Sequence, residues 1–171
     1  KDCVMSTENE PHSFWLLPDH GSAQRLQAAI RNIGAAHKRP TFEPHLTLLG
    51  DLDGKIVTTI ELCRNVFENT GTIDAKVQGL RRSADFFMSM YLEVSVENDL
   101  HHARDRIQQS LGPNIQQNFT PHVSLAYGLP QNLEVDADIL KPLKDSYDAP
   151  IRFDRLAVTN SAKSVAIENW K

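Results

Sequence analysis

One seven-residue phrase occurs twice in this chain, as Phe42-Glu-Pro-His-Leu-Thr-Leu48 and as Phe119-Thr-Pro-His-Val-Ser-Leu125. Phenylalanine, proline, histidine, a hydroxyl residue and leucine recur in the same order, 77 positions apart (122 − 45). On a strand, side chains at i and i+2 project from one face, about 6.6 Å apart along it. His45 and Thr47 therefore share a face, with Leu46 and Leu48 turned into a core. His122 and Ser124 repeat the arrangement over Val123 and Leu125. Pro44 and Pro121 sit where a strand tolerates proline, at its start. Two imidazoles, each beside a hydroxyl, are the parts needed to cleave a phosphodiester without metal. A base takes a proton from the attacking water and an acid protonates the leaving oxygen, while hydroxyl donors meet the charge on the non-bridging oxygens. Histidine suits both proton roles, because its ordinary pKa near 6.5 lies close to the working pH. A lone His-x-Thr arises often by chance; two copies inside a Phe-x-Pro-His context are far more specific. The bland reading is a pair of strand-end histidines satisfied by local hydrogen bonds.

The elements around these motifs repeat as well. Ser13-Phe-Trp-Leu-Leu17 reads as a short buried strand, and Ser22 as the cap of a helix to about Ala36 with Leu26, Ala29, Ile30 and Ile33 on one stripe. The first histidine strand ends at Gly50-Asp51. Asp53 is placed to cap a second helix bearing Ile56, Ile60, Cys63 and Phe67. Residues 72–82 and 86–96 read as strands, and 98–111 as a helix carrying Leu100, Ala103, Ile107 and Leu111. After the second histidine strand come a short helix near 136–145 and strands near 151–158 and 164–169. Strand, helix, histidine strand thus occurs twice, with 27 residues from Trp15 to Phe42 and 28 from Tyr91 to Phe119. This spacing predicts an internal duplication, two half-domains of roughly 11–85 and 86–171 within a single domain spanning 1–171. Strand exchange between the halves is compatible with it. Hairpin-like links favour α+β over a doubly wound sheet.

At 171 residues the chain is the size of one domain, and its 40% hydrophobic and 23% charged composition is that of a globular protein. No apolar run approaches the roughly 18 residues of a membrane span. The polar N-terminus lacks the apolar core of a secretion signal, and Met5 is a candidate natural start. Cys3 and Cys63 are too few for a disulfide framework, so a reducing, cytoplasmic setting is expected. A net charge of −4 fits a small phosphorylated substrate better than long nucleic acid, whose binding draws on a basic surplus. A monomer is expected, with no membrane partner. His101 and His102 are adjacent and cannot share a helix face, which disfavours a metal pair. His12, His20 and His37 lie in polar surroundings and read as solvated. Arg81-Arg82 reads as a solvated doublet or, alternatively, a contact for a distal phosphate.

The paired His-Leu-Thr-Leu and His-Val-Ser-Leu segments resemble the two signatures of the 2H phosphoesterase superfamily. The resemblance extends to its cyclic phosphodiesterase branch. That branch has a tryptophan on the first strand, as in Phe14-Trp-Leu-Leu-Pro-Asp19. It also has a Phe-Phe pair opening the mid-chain strand, as at Phe86-Phe87, and a tyrosine three residues past the second hydroxyl, as at Tyr127. The match covers about 11–158 and weakens after Asn160. It implies a bilobal α+β fold, two antiparallel sheets facing a central groove with helices outside, and no cofactor or metal. It also implies hydrolysis of ADP-ribose 1″,2″-cyclic phosphate to the 1″-phosphate and of nucleoside 2′,3′-cyclic phosphates to 2′-phosphates, small by-products of RNA and tRNA splicing. His45 and His122 would be catalytic, with family mechanism leaning towards His122 as base and His45 as acid. Thr47 and Ser124 would hold the phosphate, and Trp15 and Tyr127 would offer stacking faces. Phe42, Phe86 and Phe87 read as packing. Two alternatives remain. An RNA-end phosphoesterase or 2′,5′-ligase-like enzyme would require a basic path to the groove. A non-catalytic nucleotide-binding module would need no matched acid and base.

Overall fold

Every side chain of the run Ser13–Leu17 is buried, because the strand that contains it has neighbours on both edges and is covered on both faces. That strand is β1 (His12–Pro18), the first element of a computed structural model that describes residues 11–112, 115, 117–161, 166, 167 and 170. The remaining strands are β2 (Leu46–Leu52), β3 (Ile73–Arg82), β4 (Met90–Ser95), β5 (His122–Ala126) and β6 (Ile151–Thr159). The helices are α1 (His20–His37), α2 (Ile56–Phe67), α3 (Asn98–Leu111) and α4 (Lys144–Asp148), with 3-10 turns at Phe86–Met88 and Ala137–Leu143.

The six strands form one antiparallel sheet in the order β2-β1-β6-β3-β4-β5. The order is the same read from either end if β1 corresponds to β4, β2 to β5 and β6 to β3. The two expected sheets are joined along β3. Its residues Ile73, Asp74 and Ala75 pair with Phe153, Arg152 and Ile151 of β6, and residues from Lys76 onward pair with β4. β6, which falls in the second of the two expected halves, lies beside β1, and β3, from the first, lies beside β4.

The alternation of Met90, Leu92 and Val94 puts all three into the core with Leu100, Ala103 and Ile107 of α3. Four local expectations are corrected. The cap of α1 is Asp19, whose carboxylate accepts the Ser22 N–H at 2.7 Å, so Ser22 lies buried in the first turn. Asp53 does not cap α2, whose cap position is Lys55 with no side-chain bond. Phe86 and Phe87 belong to a 3-10 turn ahead of β4, with Asp85 accepting the Phe87 N–H. That turn dictates the end of β5. Gly128 at φ 63 packs beneath the Phe86 ring, and a Cβ there would lie 2.5 Å from a ring carbon. His12 is not solvated: it is buried, with Nε2 at 2.7 Å from the Thr59 hydroxyl of α2. The strand read near 164–169 lies largely outside the described residues.

Candidate active site

β2 and β5 are the outermost strands, and the curl of the sheet brings them into contact across a groove. Its lining includes Trp15, His45, Thr47, Phe87, His122, Ser124, Tyr127 and Trp170, and it encloses about 170 Å³. The six side chains singled out from sequence thus line one cavity.

Both imidazoles are tethered in the same way. His45 Nδ1 lies 2.7 Å from the Glu43 carbonyl, and His122 Nδ1 lies 2.7 Å from the Thr120 carbonyl. A carbonyl can only accept, so Nδ1 carries the hydrogen in each ring and Nε2 is left for groove chemistry. In both copies the acceptor lies two residues upstream, before the proline, where the extended backbone turns its carbonyl back toward the ring.

The surroundings of the two rings differ. Trp15, which pairs with Thr47 across β1 and β2, stacks on His45 with centroids 3.6 Å apart and planes 7° from parallel. Tyr91 occupies the corresponding place, pairing with Ser124, but meets His122 edge-on at 5.5 Å and 71°. His45 is 7% exposed, and burial pushes its pKa down to about 4, against the pull of the Glu43 carbonyl and with a smaller push from His122. His122 is partly open.

The hydroxyls show the reverse pattern. Thr47 is partly exposed, whereas Ser124 is buried and donates to the Phe87 carbonyl at 2.8 Å. The Ser124 hydroxyl proton is thereby committed to that carbonyl. Tyr127 is buried and stacks on Phe42 at 4.0 Å, and burial raises its phenol pKa. One face of Trp15 and one of Tyr127 are thus occupied by His45 and Phe42. Arg81 bonds Glu93 at 2.7 Å, and Arg82 donates to the carbonyls of Ser89, Leu133 and Pro130, so both are engaged within the fold. Among the described residues no group of three or more His, Cys, Asp or Glu side chains could hold a metal ion.

Sequence reasoning missed Trp170. Its ring lies 6.2 Å from that of Trp15, 5.9 Å from Phe87 and 5.9 Å from Tyr127, completing an aromatic wall. The signal was a lone large ring in the polar stretch Ile167-Glu-Asn-Trp170. Phe87 also lines the groove, beyond its expected packing role.

The sequence model of the 2'-5' RNA ligase superfamily matches residues 55–164, more than half of the chain. The protein belongs to that superfamily, the 2H phosphoesterases. The matched segment contains the second motif and starts after the first, so His45 and Thr47 are supported by the repeat and the geometry instead. Among solved structures, Escherichia coli LigT in its apo form is similar at 12% identity with a TM-score of 0.58, over 96% of this chain and 94% of its own. That likeness shows the shared fold. Kluyveromyces marxianus Usb1 is similar at 12% identity with a TM-score of 0.47, over 95% of this chain and 100% of its own. No curated protein matches in sequence. Among the described residues no helix is long and apolar enough to cross a membrane.

Proposed function

We propose that this protein is a metal-independent cyclic phosphodiesterase that hydrolyses small cyclic phosphates. Its substrates are nucleoside 2′,3′-cyclic phosphates, opened to 2′-phosphates, and ADP-ribose 1″,2″-cyclic phosphate, opened to the 1″-phosphate. The observation that carries this reading is the pair of imidazoles tethered alike at Nδ1 and lining one cavity. A binding site has no use for two such groups. An acid–base reaction needs both.

In this mechanism one Nε2 removes a proton from water as its oxygen attacks phosphorus. The other gives a proton to the ribose oxygen as the ester bond breaks. Thr47, and Ser124 once turned from the Phe87 carbonyl, donate to the non-bridging oxygens. With His122 as base and His45 as acid, the low pKa of the empty site makes a demand. His45 must gain its proton as the substrate binds, and the phosphodiester anion is the group that would supply the attraction. Trp15, stacked on the ring, favours the resulting imidazolium by cation–π attraction.

The described groove lining holds one acid, Asp51, and no lysine or arginine, which favours a small substrate over a long polyanion. The superfamily's name supports a second reading, action on RNA ends. A substrate panel in EDTA separates the two: ADP-ribose cyclic phosphate, the nucleoside 2′,3′-cyclic phosphates, a 2′,5′-linked dinucleotide and an RNA ending in a cyclic phosphate. The expected result is fastest turnover of the mononucleotide-sized substrates, with a 2′-phosphate product. Turnover of the RNA alone would overturn the small-substrate reading, and turnover that stops in EDTA and returns with one metal would overturn the mechanism.

A further inference from the structure

β2 and β5 carry the two histidine motifs, yet as opposite edges of an open sheet they share no backbone ladder. An edge strand presents unpaired N–H and C=O groups, and something must satisfy those that are buried. On β2 these include the Leu48 carbonyl and both backbone groups of Gly50. Arg104 of α3 donates from Nε to the Leu48 carbonyl at 2.8 Å. The Gln117 side-chain oxygen accepts the Gly50 N–H at 3.1 Å, and its amide nitrogen donates to the Gly50 carbonyl at 2.6 Å. The Gln117 amide thus stands where a neighbouring strand would be.

The same two residues hold the approach to the second motif. Arg104 donates from its terminal nitrogen to the Gln117 carbonyl at 2.6 Å, and its guanidinium lies over the Phe119 ring at 4.9 Å. The Gln117 N–H is accepted by the Gln108 side chain at 3.1 Å. Arg104 is 3% exposed on the apolar face of α3. A charge buried there is stable only while its donors are met; Asp105 Oδ1 lies 3.4 Å from one terminal nitrogen, and the two carbonyls that accept from the others are Leu48, within the first histidine segment, and Gln117, just ahead of the second. Gly50 follows His45 by five residues and Gln117 precedes His122 by five, so the lock lies close to both imidazoles in the chain.

We propose that Arg104 and Gln117 are positioning residues, a side-chain clasp that replaces a missing strand pairing and sets the spacing between His45 and His122. This rests on the two-histidine reading above. A displacement of about 1 Å between reacting groups can cost about a hundredfold in rate.

The test is Gln117→Met, which keeps the volume and removes the hydrogen bonds, followed by Arg104→Met and Arg104→Lys. Gln117→Met is expected to lower kcat by about 10- to 100-fold with KM changed less than about threefold. Arg104→Lys, which keeps the charge and loses the fork, should recover part of the loss seen in Arg104→Met. In a His122→Ala background Gln117→Met should cost less than about twofold, because spacing no longer matters once one partner is gone. An equal loss in both backgrounds would mean that the clasp serves stability alone, and would overturn the proposal. If Arg104→Met does not fold, Gln117→Met decides. NMR titration of the His45 ring separates this idea from the function itself: Gln117→Met should move it upward from about 4 as water enters. That shift in a protein inactive on every substrate would keep the clasp and reject the phosphodiesterase. Activity with neither a kcat loss nor a shift would reject the clasp.

Discussion

The two histidine segments share four identical residues of seven, with a hydroxyl and an aliphatic residue matched at two more, yet they distribute burial in opposite ways. In the first, the imidazole is enclosed under Trp15 and Thr47 is partly exposed. In the second, His122 is partly exposed and Ser124 is buried, its hydroxyl bonded to the Phe87 carbonyl. The motifs themselves do not account for this. The difference comes from the neighbouring strand, where β1 offers an indole face and β4 a phenol edge. The recurring motif therefore supplies two copies of the same groups, and the neighbouring residues set the surroundings of each. On the acid–base reading proposed above, the two roles call for different environments, and this exchange would supply them.

The largest effects should come from the histidines. His45→Ala and His122→Ala should each lower kcat by about 10²–10⁴-fold, and the double variant should lose less than the product. Near-normal kcat in either variant would end the pairing. Thr47→Ala and Ser124→Ala should each cost about 10²-fold in kcat. One imidazole working neutral and the other charged predicts a bell-shaped log kcat profile, and these two substitutions should leave its form unchanged, since neither hydroxyl titrates in this range. A changed bell would show that one of them sets an imidazole's protonation.

Proton uptake tests the inverted burial directly. Between pH 5 and 7, calorimetry of a non-hydrolysable phosphate ester in buffers of differing ionisation heat should report close to one proton taken up, by His45. No uptake would mean that His45 stays neutral in the complex, and the base and acid roles would exchange.

Stability gives the smallest signal. The His45 pKa falls from 6.5 to about 4 on folding, so between those values the unfolded chain binds the additional proton. Stability therefore rises with pH across that window, by up to about 1.4 kcal/mol per unit. His45→Asn should flatten the dependence of Tm on pH between 4 and 6.5; an unchanged slope would contradict the burial argument.

The groove was legible in the sequence because strand chemistry is periodic. A histidine and a hydroxyl two residues apart must share a face, and a repeated motif implies a repeated fold. The helices α1 and α3 followed from their stripes for the same reason. What escaped is what depends on contacts between distant segments. His12 sits in a polar stretch and is buried, with the hydroxyl of Thr59, 47 residues later, meeting its ring. Gln117 lies outside any helix or strand, and Arg104, which falls on the apolar stripe of α3, reads as an irregularity until both carbonyls are in view. Asp19 and Ser22 both suit a cap, and only the backbone path of the turn selects Asp19.

The position of β6 has a consequence for synthesis. This strand comes late in the chain but lies in the middle of the sheet, with Ser13 paired to Thr159. On the ribosome, the continuous stretch 73–126 carries β3, β4, α3 and β5, and can assemble as soon as it emerges. β1 and β2, translated earlier, must wait for their third strand, and their open edge is a site for mispairing with other nascent chains. The lobe that begins first is finished last. The opposed histidines face each other only after residues 151–159 leave the exit tunnel, so a chain stopped at residue 150 would have every proposed catalytic side chain and no groove to hold them.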